Sequence, residues 1–542
     1  MTCSYDAGTR RVTIQLSAAM DAVTISRIGN GIAYSGGGPL ALCGAARVTN
    51  TNRIVVTATG PGQQAVTLVM TNGRFEPGRT HESSGVSEIE FQLDLGAGSD
   101  GVIVHGTNGA DNLRLGTGGA NLNGDGDVDV TTTGADGWSF YGGQGADRIG
   151  VQGGLGTGSA YHGNPFTLGE TYVNGEGGND LLVGGPERET FNGGAGSDRL
   201  KAGGGNDLMY GDSGADRLEG GADGDGLYPG AGNDLVIGGG GRDSFGAEAG
   251  ADGSDEFRGG PGRDRASYFG RVGAVRVDTD NRADDGATGE HDNIRADVEN
   301  IDGGDGDDRL TGNGVNNELD GWGGADTLVG GGGDDELTGD LGGDTLKGGA
   351  DDDLVDGGPG TDGLYGGADE DEIVDGPDPD VMNAGPGMDT IDQGASPNGA
   401  DVIFGGPGLD DVTYANRAAL VNVSLNNLVG DGGAGENDNV RDDVEAVIGT
   451  PFGDTLSGNG LANFLIGGGG VDFLFGFDGI DRLVGDADGD TLNGGDGFDT
   501  LDGGSENDTL NANDGSRDEV DGGAGVGDVC NVDPSDFVAG CP

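Results

Sequence analysis

The 542-residue chain holds 125 glycines and sets 95 acidic residues against 27 basic ones, for a formal net charge of −68; only 33% of it is hydrophobic. Such a polyanion repels nucleic acid and anionic membrane surfaces, and its natural partner is a hard cation. No run approaches the roughly 18 apolar residues of a membrane-spanning helix, and without some ordering principle so little apolar surface leaves only an acidic polymer.

The first twenty residues, MTCSYDAGTRRVTIQLSAAM, lack the apolar segment of a signal peptide, so export uses another signal or a leader has been trimmed. Residues 1–95 alternate as strands do in RVTIQL, AVTISRI, RIVVTATG, AVTLVM and SEIEFQLDL, most clearly at Ile89, Phe91, Leu93 and Leu95. They predict a small all-β N-terminal domain. Four cysteines allow three connectivities, and proximity favours Cys3–Cys43 and Cys530–Cys541; the other reading is buried free thiols. Paired clips fit an exported protein. Residues 151–172, with Tyr161, His162, Phe166 and Tyr172, read as a loop insertion whose aromatics pack.

From Gly175 a period of nine takes over. It runs unbroken for eight repeats to Gly246, for ten from Gly303 to Asp392, and for seven from Gly449 to Asn511. The sixth place is Asp in 22 of the 25 repeats, the exceptions being Glu189, Asn317 and Asn463. The eighth place is apolar in all of them, as at Leu182, Phe191, Leu310, Val355, Leu456 and Leu510. Glycines at places one, two and four permit positive φ and close backbone approach, which makes six residues a turn. The remaining three, polar–apolar–polar, form a short strand with one inward side chain. A single apolar residue builds no core, so two nonapeptides must close one coil and coils must stack by parallel pairing at about 4.8 Å.

Stacking places each sixth-place carboxylate above the one two repeats away. At about 5 Å and an effective dielectric near 20, such a pair repels by roughly 3 kcal/mol. A cation between them removes the conflict. Carboxylates with glycine carbonyls, and no imidazole or thiolate, suit Ca²⁺; Mg²⁺ is a weaker candidate because it keeps its waters.

GGAGSDRLK and its relatives resemble G-G-x-G-x-D-x-U-x, the hemolysin-type repeat of RTX (repeats-in-toxin) proteins of secreted bacterial origin. The resemblance implies a parallel β-roll, with Ca²⁺ between successive turns on the sixth-place Asp and on turn carbonyls. Carried onto the first run, the ligands are Asp180, Asp198, Asp207, Asp216, Asp225, Asp234 and Asp243, with carbonyls such as those of Gly194, Gly196, Gly203 and Gly205. In the second run they are Asp308, Asp326, Asp335, Asp344, Asp353, Asp362, Asp371 and Asp389. In the third they are Asp454, Asp472, Asp481, Asp490, Asp499 and Asp508. If each ion bridges a repeat and the one two further on, the runs offer at most about 19 sites. Glu189 reaches far, and Asn317 and Asn463 lack charge, which weakens the sites they would join. Degenerate copies extend the pattern to Asp100, Asp111, Asp147, Asp255, Asp264, Asp401 and Asp410.

The runs are separated by a duplication: residues 265–303 align without gaps on 411–449. Tyr268 matches Tyr414, Arg271 matches Arg417, and Glu290, Asp292 and Asn293 match Glu436, Asp438 and Asn439. These interludes read as longer coils that bulge from the stack and cover its edge; the acidic cluster is alternatively an extra cation site. The last residues, GDVCNVDPSDFVAGCP, read as a cap on an open sheet edge.

No catalytic constellation emerges. GDSG at Gly211–Gly214 is the variable part of a repeat, His81-Glu82 lacks the second histidine of a zinc protease, and Asp125, Asp127 and Asp129 are followed by Val130 where a calcium loop of the EF-hand type needs glycine. The expectation is an all-β chain without enzymatic activity. An N-terminal domain (1–95) and degenerate repeats with an insertion (96–174) precede rolls at 175–264, 303–413 and 449–542, with interludes at 265–302 and 414–448. Its predicted role is that of a secreted or cell-surface calcium-binding protein, structural or adhesive; the alternative is a polysaccharide-binding or polysaccharide-modifying protein that uses the roll as a carrier.

Overall fold

A computed structural model describes residues 1–16, 22–28, 31–36, 39–47, 51, 53–58, 65–70, 90–94, 101–107, 109–116, 119–122, 130–133, 137–151, 171–247 and 253–541. Asp100, His81, Glu82, Ile89, Leu95, Asp125, Asp127, Asp129, Tyr161, His162 and Phe166 lie outside the described residues. The described residues form strands and turns and no helix. They divide into two compact units, one built mainly from Met1–Ser267 and the other mainly from Glu299–Pro542.

In the first unit the nonapeptide strands make two parallel ladders. Leu181–Val183, Arg199–Gly203, Arg217–Ala222 and Leu235–Gly240 form one, and Thr171–Gly177, Glu189–Ala195, Leu208–Ser213 and Gly226–Tyr228 the other. Leu182 lies opposite Leu200 and Leu200 opposite Leu218, so each coil advances by two repeats and the parallel β-roll holds its register. Every eighth-place residue is buried, from Leu182 to Leu510, giving the single file of apolar side chains that the period demands.

The N-terminal strands are built into these same ladders. Arg11–Leu16 pairs in parallel with Arg53–Ala58, and that strand with Glu90–Asp94; Ala22–Ile28, Ala65–Val69, Gly101–His105 and Gly137–Gln144 lead in parallel to Thr171–Gly177. These coils take roughly twice the length of the later ones and bury wider layers, including Ile14, Ile25, Phe91, Trp138 and Phe140. Thr2–Asp6 folds antiparallel over the first rung, and the Cys3–Cys43 disulfide ties it to Ala41–Arg47.

The second unit repeats the plan. Arg309–Thr311, Thr327–Gly332, Thr345–Ala350 and Gly363–Ala368 form one ladder, and Glu318–Gly324, Glu336–Thr338, Leu354–Asp356 and Glu372–Val374 another. The second interlude is a longer coil: Val402–Phe404 pairs directly with Asn439–Val440, and Asn422–Ser424 opens a fresh ladder with Thr455–Ser457. Its Arg417 is buried over the Tyr414 ring, ion-paired to Glu436, and donates to the Gln393 carbonyl at 2.9 Å. At the end of the unit Val529–Val532 and Phe537–Ala539 add the last rungs of two ladders, and Cys530–Cys541 clips them.

Candidate metal centre

The turn that precedes each strand folds the sixth-place side chain back inside the coil, and its two oxygens meet different fates. Asp198 Oδ1 accepts the backbone N–H of Asp180 at 2.7 Å, Asp216 Oδ1 that of Asp198 at 2.7 Å, and Asp234 Oδ1 that of Asp216 at 2.6 Å. Every coil therefore hangs a carboxylate from the coil before it.

The bonds link the aspartates into rows. In the first unit one row runs Asp111, Asp147, Asp180, Asp198, Asp216, Asp234, Asp255, Asp292, and another Glu189, Asp207, Asp225, Asp243, Asp264. In the second unit one row runs Asp308, Asp326, Asp344, Asp362, Asp380, Asp401, Asp438 and another Asn317, Asp335, Asp353, Asp371, Asp389, Asp410. The third run contributes Asp454, Asp472, Asp490, Asp508, Asp528 and Asn463, Asp481, Asp499, Asp518.

The second oxygen is the chemically telling one. Oδ2 of Asp198, Asp216, Asp225, Asp344, Asp362 and Asp490 is buried with no hydrogen-bond partner, as it is along most of each row. A buried carboxylate oxygen without a donor is costly, so it calls for a positive ligand. The surroundings leave room for one: a Cβ at Gly193 would lie 2.7 Å from Asp198 Oδ2 and 2.8 Å from the Gly211 carbonyl oxygen. Gly194, Gly196, Gly203 and Gly205 all hold positive φ, which only glycine adopts readily. The Gly196 and Gly203 carbonyls face along the stack toward Gly214 and Gly221. Carboxylate and carbonyl oxygens are the donor set of a hard cation such as Ca²⁺.

Row starts are built differently. Asp308 Oδ2 accepts the Gly304 N–H at 2.7 Å and Asp454 Oδ2 the Thr450 N–H at 2.6 Å, so these two carboxylates are satisfied by backbone. Glu189, Asn317 and Asn463 also begin rows, where Gly185, Asn313 and Asn459 N–H groups serve their oxygens. Asn317 Nδ2 donates to the Glu299 carbonyl at 2.7 Å, and Asn463 Nδ2 to the Glu445 carbonyl at 3.4 Å. An aspartate could not make that bond. The departures from Asp thus cap the rows.

Burial raises the row carboxyls above their ordinary value of 3.8: Asp180, Asp216, Asp225 and Asp362 to about 7 and Asp207 to about 8, with like charges above and below adding to the shift. A raised folded-state pKa contributes stability that is fully present below pH 4 and is lost as pH rises through about 7 to 8. The calcium-free chain is therefore expected to gain β structure on acidification from pH 8 to pH 4, read by circular dichroism in EGTA. Structure that is instead lost over that interval would contradict the burial of these groups.

Several row members escape the strict period. Asp518 and Asp528 follow steps of 19 and 20 residues, one or two more than two repeats. Asp292 and Asp438, from the acidic cluster of each interlude, take their rungs after steps of 37 residues. Asp380 occupies an ordinary sixth place and belongs with the ligand candidates.

Parallel ladders around rows of buried, donor-less carboxylates define a β-roll with the donor set of a hard cation. The chain carries RTX repeats: segments 192–227, 210–245, 227–253, 302–337, 338–373, 365–395, 448–483, 475–510, 484–517 and 493–527 match the RTX calcium-binding nonapeptide repeat (4 copies). No curated protein matches the chain.

Proposed function

We propose that this is a secreted or cell-surface protein that folds by binding many calcium ions and acts as a structural or adhesive element without catalysis. The observation that carries the reading is the row of buried aspartate oxygens with no donor, repeated along both units. Two disulfides favour an oxidising compartment, and extracellular calcium modules work at about 10⁻⁴–10⁻³ M, where calcium is plentiful outside cells. At ten times the dissociation constant each site adds roughly 1.4 kcal/mol, so about fifteen sites supply on the order of 20 kcal/mol to folding.

Equilibrium dialysis at millimolar free calcium is expected to give well over ten ions per chain. Two or fewer would defeat the proposal. A glycan array probed with the full chain should show no selective binding; selective, calcium-independent binding would move the reading to polysaccharide recognition.

A further inference from the structure

One repeat carries an acid at its first place. In residues 375–383 Asp375 stands where most repeats have glycine. In the preceding repeat a Cβ on Gly366 would lie 2.6 Å from Asp371 Oδ2 and 2.7 Å from the Ala384 carbonyl. Asp375 places a whole carboxylate at the equivalent point of its own repeat, and the side chain is buried there.

It meets two row members. One oxygen each from Asp375, Asp380 and Asp401 lie within 4.8 Å of one another. Asp380 and Asp401 are each only 1% exposed. In each residue one oxygen is tied down: Asp380 Oδ1 accepts the Asp362 N–H at 2.7 Å, Asp401 Oδ1 the Asp380 N–H at 2.8 Å, and Asp375 Oδ2 the Asn398 amide. The remaining oxygens, Asp375 Oδ1, Asp380 Oδ2 and Asp401 Oδ2, have no hydrogen-bond partner. Asn398 is itself held by Arg417 Nη2 at 2.8 Å, while Arg417 is ion-paired to Glu436. That guanidinium is thus committed to another carboxylate.

We propose that Asp375, Asp380 and Asp401 form a distinct three-carboxylate site for one Ca²⁺, of higher affinity than the ordinary sites of the roll. Calcium–oxygen distances of 2.3–2.6 Å let ligands lie up to about 5 Å apart across the ion, and these three oxygens fall inside that reach. Affinity for calcium rises with the number of charged ligands, and two successive ordinary rungs present two donor-less carboxylate oxygens where Asp375 brings the number here to three. The site rests on the calcium reading above, and its test separates the two.

Terbium(III), a trivalent ion close to calcium in size, is the probe. The full chain is kept folded in millimolar calcium and titrated with terbium, with bound terbium and calcium measured after dialysis. Wild type is expected to retain about one terbium per chain in a class that D375G and D375N weaken at least tenfold. Asp375→Gly installs the residue of the ordinary repeats and Asp375→Asn keeps the side-chain shape, so both are compatible with the fold, which circular dichroism verifies. Equal terbium retention by wild type and both variants overturns the site. So does a wild-type chain that binds calcium but has no tight terbium class, the result expected if Asp375 and Asp380 merely share a proton. A chain that binds no calcium at all defeats the calcium reading itself.

Discussion

Leu346→Asp should unfold the middle of the second unit at calcium levels that keep the wild type folded. Leu346 is wholly buried, stacked between Leu328 and Leu364, and its coil offers no other side chain on that line. The substitution leaves a cavity and an uncompensated charge, a combination that costs upwards of 4 kcal/mol. In a stacked repeat each coil rests only on its neighbours, so damage spreads to adjacent rungs. If about eight ions bind cooperatively with the unit, a loss of 4 kcal/mol raises the calcium midpoint about twofold. Calcium titrations followed by circular dichroism, with limited proteolysis to locate the melted coils, check this; an unchanged midpoint would refute the single-file core.

Gly214→Val is expected to be comparably damaging in the first unit, for a steric reason. Gly214 has φ +145°, and a Cβ there would collide with the carbonyl oxygen of Gly196 in the preceding coil. Stacking depends on that close approach, so Leu208–Ser213 could no longer lie in register on Glu189–Ala195. Strained backbone together with the clash costs about 3 kcal/mol or more. Gly204 in the neighbouring repeat has open surroundings, the nearest atom to a Cβ being Pro186 Cα at 3.5 Å. Gly204→Ala should therefore change stability by no more than about 0.5 kcal/mol. Thermal melts of the two variants in saturating calcium separate steric demand from general glycine loss.

Much of the roll is legible in the sequence because two constraints repeat together. The inward residue at place eight and the carboxylate at place six share one period, so that period alone sets Leu182, Leu200 and Leu218 in register. The N-terminal strands are legible only as strands. Alternation in RVTIQL and RIVVTATG marks which face is buried and says nothing of the partner, so it does not reveal their parallel stacking onto the roll. Asp518 and Asp528 are hidden by slips of one and two residues, which a turn absorbs and a fixed frame does not. By the period Asn317 and Asn463 are weakened ligands; their amide donors make them row caps, a role that depends on a carbonyl one coil away. Asp375 lies outside the sixth place and so escapes the ligand pattern, although an acid in a glycine position is itself a signal.

The aspartate rows are expected to fold the chain only when calcium answers their second oxygens. Small-angle scattering and circular dichroism on the same samples, across a calcium titration at pH 7.5, test it most directly. In EGTA the radius of gyration should approach the roughly 87 Å of an unfolded chain of this length, with no β signal. Millimolar calcium should contract the chain and restore the β signal at one shared midpoint. A contracted, β-rich chain in EGTA, indistinguishable from the calcium-loaded one, would contradict the claim.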